Sequence, residues 1–85
     1  MIYELPCCSR EKRKSFYGKA TVHEYDGVKQ LISYETTVCF IDKLGEFHRL
    51  WSGYSATTMR HINSFRQLNG FKAISKSEWE KMEVE

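Results

Sequence analysis

The stretch that decides the fold is SATTMRHINSFRQLNG, from Ser55 to Gly70. Its apolar residues recur every three positions, a spacing that places them along one side of a helix. Ser55, or Thr57 if the helix begins later, can cap the N-terminus, and Gly70 suits a left-handed C-terminal cap. The stretch therefore predicts a helix that contributes to the core. Its apolar stripe consists of Met59, Ile62, Phe65 and Leu68.

The segments before this helix alternate between apolar and polar residues, which is typical of strands with one buried side. The first segment is Ser15–Tyr25, and the Asp26-Gly27 pair after it is a two-residue hairpin signal because both residues tolerate positive φ. The second segment, Val28–Ile41, is predicted as one long strand that contains a bend or bulge. A turn and a third short strand, Glu46–Trp51, follow.

The residues after the helix predict a short extended piece and a second short helix. Ser77 is predicted to cap that helix, with Glu80 at the capping-box position. Trp79 and Met82 lie three residues apart and are predicted to pack the helix on the core. The fold class is thus α+β: a three-stranded antiparallel meander packed on one helix, plus a short C-terminal helix. Residues 1–14 are predicted to be a flexible basic lead-in, and residues 15–85 a single small domain. Because one helix covers one face of a sheet, the other face is expected to carry the binding surface.

Length and composition limit the classes of function. A chain of 85 residues buries only about 60–65% of its unfolded surface, so its stability is marginal without a partner or self-association. A net charge of +2 is too balanced to require a nucleic-acid partner. Three cysteines, two of them adjacent, do not make a disulfide framework, and no apolar run reaches the ~20 residues of a membrane span. These features predict a cytoplasmic protein without a membrane segment.

The sequence also lacks the patterns of a catalytic or metal site. Its cysteines and histidines show neither C-x2-C nor H-x3-H spacing, and no glycine-rich phosphate loop is present. Its aspartates, Asp26 and Asp42, both lie in predicted turns rather than beside a nucleophile and a base. We therefore predict no enzymatic activity, no catalytic residue, no bound metal and no cofactor.

Two sets of residues are candidates for binding a partner. Arginine and asparagine on the polar side of the helix are types that pair with base edges, and strand aromatics can stack on bases or anchor a protein interface. Thr57 and Thr58 are accounted for by helix capping, and a structural role for His61 beside the stripe is left open. The predicted partner-binding residues are Tyr17, Lys19, His23, Tyr25, Arg60, His61, Asn63 and Arg66.

Four motifs of this chain resemble a group of short proteins encoded by phages, prophages and other mobile elements of Gram-positive bacteria. The motifs lie at Ser15–Ala20, Ser33–Val38, Tyr54–Ile62 and Gly70–Lys76, and the resemblance extends from Ser15 to Met82. The group consists largely of domains of unknown function, so the resemblance implies a setting rather than an activity. Small proteins of that setting include inhibitors of host defence, such as anti-CRISPR proteins, and small regulators.

Two functions are expected from these observations. The leading one is stoichiometric binding to a protein of the host or the mobile element, as an inhibitor of host defence, and a homodimer is also open. The alternative is a nucleic-acid-binding regulator that uses the basic run Arg10–Lys14 and the polar helix face.

Overall fold

The computed structural model describes residues 1–6 and 18–85. Five antiparallel strands form one sheet in the order in which they occur along the chain, and two helices follow the last strand. The α+β class is therefore confirmed, whereas the predicted number of strands is wrong. The elements are β1 (Ile2–Glu4), β2 (Ala20–Tyr25), β3 (Val28–Ser33), β4 (Thr36–Ile41), β5 (Phe47–Arg49), α1 (Ala56–Leu68) and α2 (Lys76–Lys81).

A hairpin divides the segment that was predicted as one long strand. Ser33 pairs with Thr36, and Tyr34 and Glu35 form the two-residue loop between β3 and β4. Tyr34 has a φ of +57°, a conformation that bulky residues rarely adopt. Because the turn contains neither glycine nor asparagine, the sequence carries no usual signal for a hairpin here. The predicted bulge is present, because the register shifts at Leu31 and Ile32.

The first residues of the chain belong to the sheet, which corrects the prediction of a flexible lead-in for them. Ile2–Glu4 form edge strand β1 against β2, and the side chain of Leu5 is fully buried in the core. A three-residue strand is too short for its alternation to distinguish it from a tail. The rest of the predicted lead-in after Pro6, and residues 15–17 of the first predicted strand, lie outside the described residues.

Helix α1 packs on one face of the sheet through Met59, Ile62 and Phe65, as its apolar stripe predicts. The stripe does not extend to Leu68, whose side chain is 49% exposed. A spacing of three residues falls behind the 3.6 residues of a helical turn, so the stripe turns away from the sheet near the C-terminus of α1. Thr58 and His61 lie on the buried side as well.

The predicted ends of α1 are confirmed. The Ser55 side chain accepts a hydrogen bond from the Thr58 N–H at 3.0 Å. At the other end Gly70 has a φ of +85°, and the Phe71 N–H donates to the Arg66 carbonyl at 2.8 Å.

Helix α2 begins two residues earlier than predicted. Ser75 and Glu78 form the capping box, although Ser77 and Glu80 repeat the same spacing. Trp79 is fully buried, as predicted, and its indole N–H donates to the Gly53 carbonyl at 2.9 Å. Across residues 1–6 and 18–85, no helix is long and apolar enough to cross a membrane.

Candidate binding face of the sheet

The face of the sheet opposite the helices, which we call the open face, is the candidate binding surface. Both helices contact the other face: Thr58 of α1 bonds Ser33, and Trp79 of α2 stacks on Arg49. Because side chains alternate along strands, the remaining residues point the opposite way. Strand pairing aligns Ile2, His23, Gln30, Phe40 and His48 in one row across all five strands. With their neighbours in the register, the open face consists of Ile2, Glu4, Thr21, His23, Tyr25, Val28, Gln30, Ile32, Thr37, Phe40 and His48.

The open face is mostly uncharged. Aliphatic and aromatic side chains lie beside threonine, glutamine and histidine, and the Phe40 and His48 rings stack with centroids 4.6 Å apart. The most exposed apolar residues of this face are Ile2, at 57%, and Tyr25, at 52%. The central part of a protein interface has this composition, with few charges and an excess of aromatic residues.

A pocket of about 360 Å³ lies at the end of the open face next to the β2–β3 turn. It brings together two of the predicted binding residues, His23 and Tyr25, whose ring centroids are 6.4 Å apart with the rings in an edge arrangement. We call it the hairpin pocket. Its lining consists of His23, Tyr25, Asp26, Val28, Gln30 and Lys43.

Lys19, another predicted binding residue, lies at the opposite end of the sheet. It lines a shallow depression of about 500 Å³ with Tyr34, and its ammonium group is 5.8 Å from the centroid of the Tyr34 ring. Lys19 is therefore not part of the hairpin pocket. Tyr17 is outside the described residues.

The candidate residues on α1 do not form one exposed surface. His61 is buried, its Nδ1 is 2.8 Å from the Ser33 hydroxyl, and its ring packs beside Tyr34. Asn63 is half-buried and holds the chain after α1, since its side chain bonds both the N–H and the carbonyl of Ile74. Of the four predicted binding residues on α1, Arg60 is the exposed one. The buried polar contacts of His61 and Asn63 assign them roles in the fold.

The expectation that Arg66 points outward is wrong. Its Nε donates to the Lys72 carbonyl at 2.9 Å, and its guanidinium is 4.5 Å from the Phe47 ring and 5.1 Å from the Phe71 ring. Burial lowers the pKa of Arg66, an effect that the charge of Glu78 opposes. Aromatic rings from β5 and from the segment after α1 therefore enclose a charged side chain that was expected to face solvent.

Arg49 is a buried residue that is not among the predicted binding residues. Its guanidinium donates to the carbonyls of Trp51, Ser52, Trp79 and Met82 at 2.8–3.2 Å. The same group lies 4.5 Å from the Trp79 ring. Arg49 thus ties β5, the loop after it and α2 together. The sequence indicates burial at this position, since Arg49 lies between Phe47 and Trp51 on the same side of the predicted third strand.

A cluster of polar side chains lies at the β4–β5 turn. Asp42, Glu46 and His48 each offer a metal-ligand atom, and these atoms lie within 4.8 Å of one another. Asp42 and His48 also have protein partners: one Asp42 oxygen accepts from the N–H groups of Leu44 and Glu46, and the other is 2.7 Å from His48 Nε2. His48 Nδ1 pairs with the carboxylate of Glu85. These contacts account for the positions of the Asp42 and His48 side chains without an ion. The absence of a metal site stays a prediction.

The cluster makes the stability of the domain depend on pH. Hydrogen bonds to Asp42 and Glu85 raise the pKa of His48 above its ordinary value of 6.5. A histidine whose pKa is raised in the folded state adds stability that is complete below the unfolded pKa and is lost as the pH rises through the folded pKa. Hydrogen bonds from the Glu46 N–H and His48 lower the pKa of Asp42, so its contribution is present above 3.8 and is lost in acid.

We expect the melting temperature of the wild-type domain to fall relative to that of His48→Gln as the pH rises from below 6.5 through the raised pKa of His48. The glutamine keeps hydrogen-bonding capacity but cannot become charged. Glu85→Gln, which removes one of the two carboxylates, should show a smaller fall than the wild type. Parallel melting-temperature profiles for the wild type and His48→Gln would show that the cluster is not linked to folding.

The comparisons with known proteins agree with the expectation of an uncharacterised domain. No curated protein and no solved structure matches this chain. The sequence model of one family, described as a family of unknown function (DUF8033), matches residues 3–81. The match begins inside β1, ahead of the motif at Ser15, and ends with α2, so it spans the sheet and both helices. This chain belongs to the family of unknown function DUF8033.

Proposed function

We propose that this domain acts by stoichiometric binding to a protein partner through the open face of its sheet, and not by catalysis. The observation that carries the proposal is the row from Ile2 to His48, which crosses all five strands without a helix of the described chain packed on it. The row combines aromatic and aliphatic groups with hydrogen-bonding groups, a mixture that gives an interface both energy and register.

The rigidity of the sheet supports this surface as a binding site. Cross-strand hydrogen bonds already fix the backbone under Ile2, Ile32 and Phe40. A partner that covers these side chains therefore has little ordering entropy to overcome on this side of the interface. Tyr25 at the end of the face is a residue type that commonly dominates interface energies, because it buries a large area with few rotatable bonds.

The charges of the described residues favour a protein over a nucleic acid. Nucleic-acid affinity comes chiefly from Lys and Arg groups that neutralise phosphates. No Lys or Arg is among the open-face residues assigned above, and Arg49 and Arg66 are buried against carbonyls and rings. The basic run Arg10–Lys14 lies outside the described residues, and the nucleic-acid-binding regulator remains the alternative.

The partner class follows from the setting that the sequence resemblance implies. In a phage or mobile element, a small domain that binds without catalysis can act by occupying a protein of a host defence system. We propose that class of partner, with an anti-CRISPR-like mode of action, for the first tests.

The test compares an open-face variant with a matched variant elsewhere. Ile32→Arg places a charge in the middle of the open face, and Leu44→Arg places the same charge at a turn position that is 86% exposed. The partner is first captured with the wild-type domain from a nuclease-treated lysate of the bacterium that carries the gene. The affinity is then measured with the purified proteins, and the partner should bind Ile32→Arg about tenfold or more weakly than the wild type. Leu44→Arg should bind like the wild type.

Two outcomes would count against this function. Equal partner affinity for the wild type, Ile32→Arg and a second open-face variant, Ile2→Arg, would remove the open face as the contact surface. Tight, salt-sensitive binding to labelled single- or double-stranded DNA or RNA would instead favour the regulator. Circular dichroism and melting temperature show whether each variant is folded.

A further inference from the structure

The hairpin pocket is built by two adjacent residue pairs of the β2–β3 hairpin. Tyr25 lies opposite Val28, and His23 lies opposite Gln30, so the four side chains form one patch. Lys43 reaches this patch from the turn after β4, and its stem packs so closely on the hairpin that a Cβ on Gly27 would lie 3.3 Å from Lys43 Cγ. The volume of about 360 Å³ is within the range of about 300–1,000 Å³ that is usual for small-molecule sites.

Among the described residues, the polar side-chain groups of this pocket have no role in holding the fold together. Within the part of the chain that the structure describes, no side-chain hydrogen bond or ion pair engages His23, Tyr25, Asp26, Gln30 or Lys43. On the helix side of the sheet, by contrast, Ser33, Arg49 and Arg66 all have protein partners. A few unengaged polar groups that converge beside apolar surface are typical of a ligand site.

The identities of these groups indicate which ligand would fit. The half-exposed Tyr25 ring, beside the edge of the His23 ring, offers a face on which a planar ring can stack. The Gln30 amide offers both a donor and an acceptor, the combination that pairs with the edge of a nucleobase. The Lys43 ammonium can hold a phosphate as a point charge, and the Asp26 carboxylate can accept hydrogen bonds from sugar hydroxyls.

We propose that the hairpin pocket binds a nucleoside monophosphate as a free small molecule, with the base against Tyr25 and Gln30 and the phosphate at Lys43. The lining holds one lysine and one aspartate, so its charge suits at most a single phosphate and does not favour a polyphosphate or a long strand. This inference goes beyond the proposed function, since it requires no protein partner.

The experiment is a ¹H–¹⁵N chemical-shift titration of the purified full chain. Adenosine 5′-monophosphate and uridine 5′-monophosphate are the probes, and adenosine, ribose 5-phosphate and adenosine triphosphate are the comparisons. The monophosphates should shift the amides of residues 23–30 and 42–45 with saturation, adenosine and ribose 5-phosphate should bind more weakly, and the triphosphate should bind no more tightly. An absence of saturable shifts at millimolar nucleotide, or shifts centred elsewhere, would overturn the proposal.

Variants with matched controls locate the site. Tyr25→Ala should weaken monophosphate binding about 5- to 150-fold, the usual effect of losing one base-stacking ring. Tyr34→Ala removes a tyrosine of similar exposure, 51%, from the other hairpin and should leave the affinity unchanged. Lys43→Ala should weaken the monophosphate but not adenosine, whereas the neighbouring Leu44→Ala should change neither.

The outcomes that would overturn the nucleotide proposal differ from those that would support it. Unchanged affinity in folded Tyr25→Ala and Lys43→Ala would overturn the proposal, as would stronger binding of a short oligonucleotide than of the mononucleotide. If Tyr25→Ala does not give a dispersed spectrum, Gln30→Ala replaces it as the test of base contact, with loss of affinity expected. The titration contains no protein partner, so its failure would leave the open-face proposal standing, and failure of partner capture would leave the nucleotide site standing.

Discussion

Phe65→Ala will lower the free energy of unfolding by about 3–5 kcal/mol. The ring is fully buried at the middle of the side of α1 that packs on the sheet, so its removal leaves a cavity as well as losing apolar contacts. A domain of 85 residues has a total stability of only about 4–13 kcal/mol at the usual value per residue. The loss is therefore a large share of the total stability of the domain.

Urea denaturation followed by circular dichroism measures this loss, with the slope checked for constancy. Leu68→Ala is the matched control, because it removes an apolar side chain from the same stripe of the same helix at a position that is 49% exposed. We expect Leu68→Ala to cost less than about 1 kcal/mol. Equal losses for the two variants would contradict the orientation of α1 on the sheet.

Arg49→Ala will lower the free energy of unfolding by about 3 kcal/mol, because a buried carbonyl left without a donor costs about 1–3 kcal/mol. Arg49 donates to four carbonyls, one in a buried contact and three in partly buried contacts. The cation–π contact with Trp79 is lost as well. Since the contacts join β5 to α2, the environment of Trp79 should change before the rest of the domain unfolds.

Tryptophan fluorescence and far-ultraviolet circular dichroism, followed in parallel during denaturation, test this expectation. Arg49→Lys keeps the charge but replaces the fork of three nitrogens by one, so it should lose less stability than the alanine variant and more than a surface change. Lys81→Ala, at an exposed position of α2, is the surface control and should stay within about 0.5 kcal/mol. A loss below about 1 kcal/mol for Arg49→Ala would mean that water satisfies those carbonyls.

Much of the fold could be predicted from the sequence where the signal is local. The Asp26-Gly27 turn, the Ser55 cap and the Gly70 cap depend on residues that tolerate or satisfy a particular backbone conformation within a few positions. The same reasoning placed His23 and Tyr25 on one side of a strand, and both line the hairpin pocket. Their role in binding stays a prediction.

The interior contacts of Arg66 could not be predicted in this way. Helical spacing says that Arg66 lies beside the apolar stripe, but whether it points to solvent depends on Phe47 and Phe71, which come from elsewhere in the chain. The turn at Tyr34 could not be predicted either. Its positive φ is imposed by the pairing of β3 with β4, and tyrosine has no preference for that conformation.

By itself, the sequence determined the α+β class, the side of α1 that is buried, and the ends of that helix, because periodicity and capping act over a few neighbouring residues. Only the tertiary structure decided the five-stranded order, the burial of Arg49 and Arg66, and the approach of Lys43 to the β2–β3 hairpin. Those features depend on contacts between residues far apart in the chain, and local sequence patterns do not predict the free energies of such contacts.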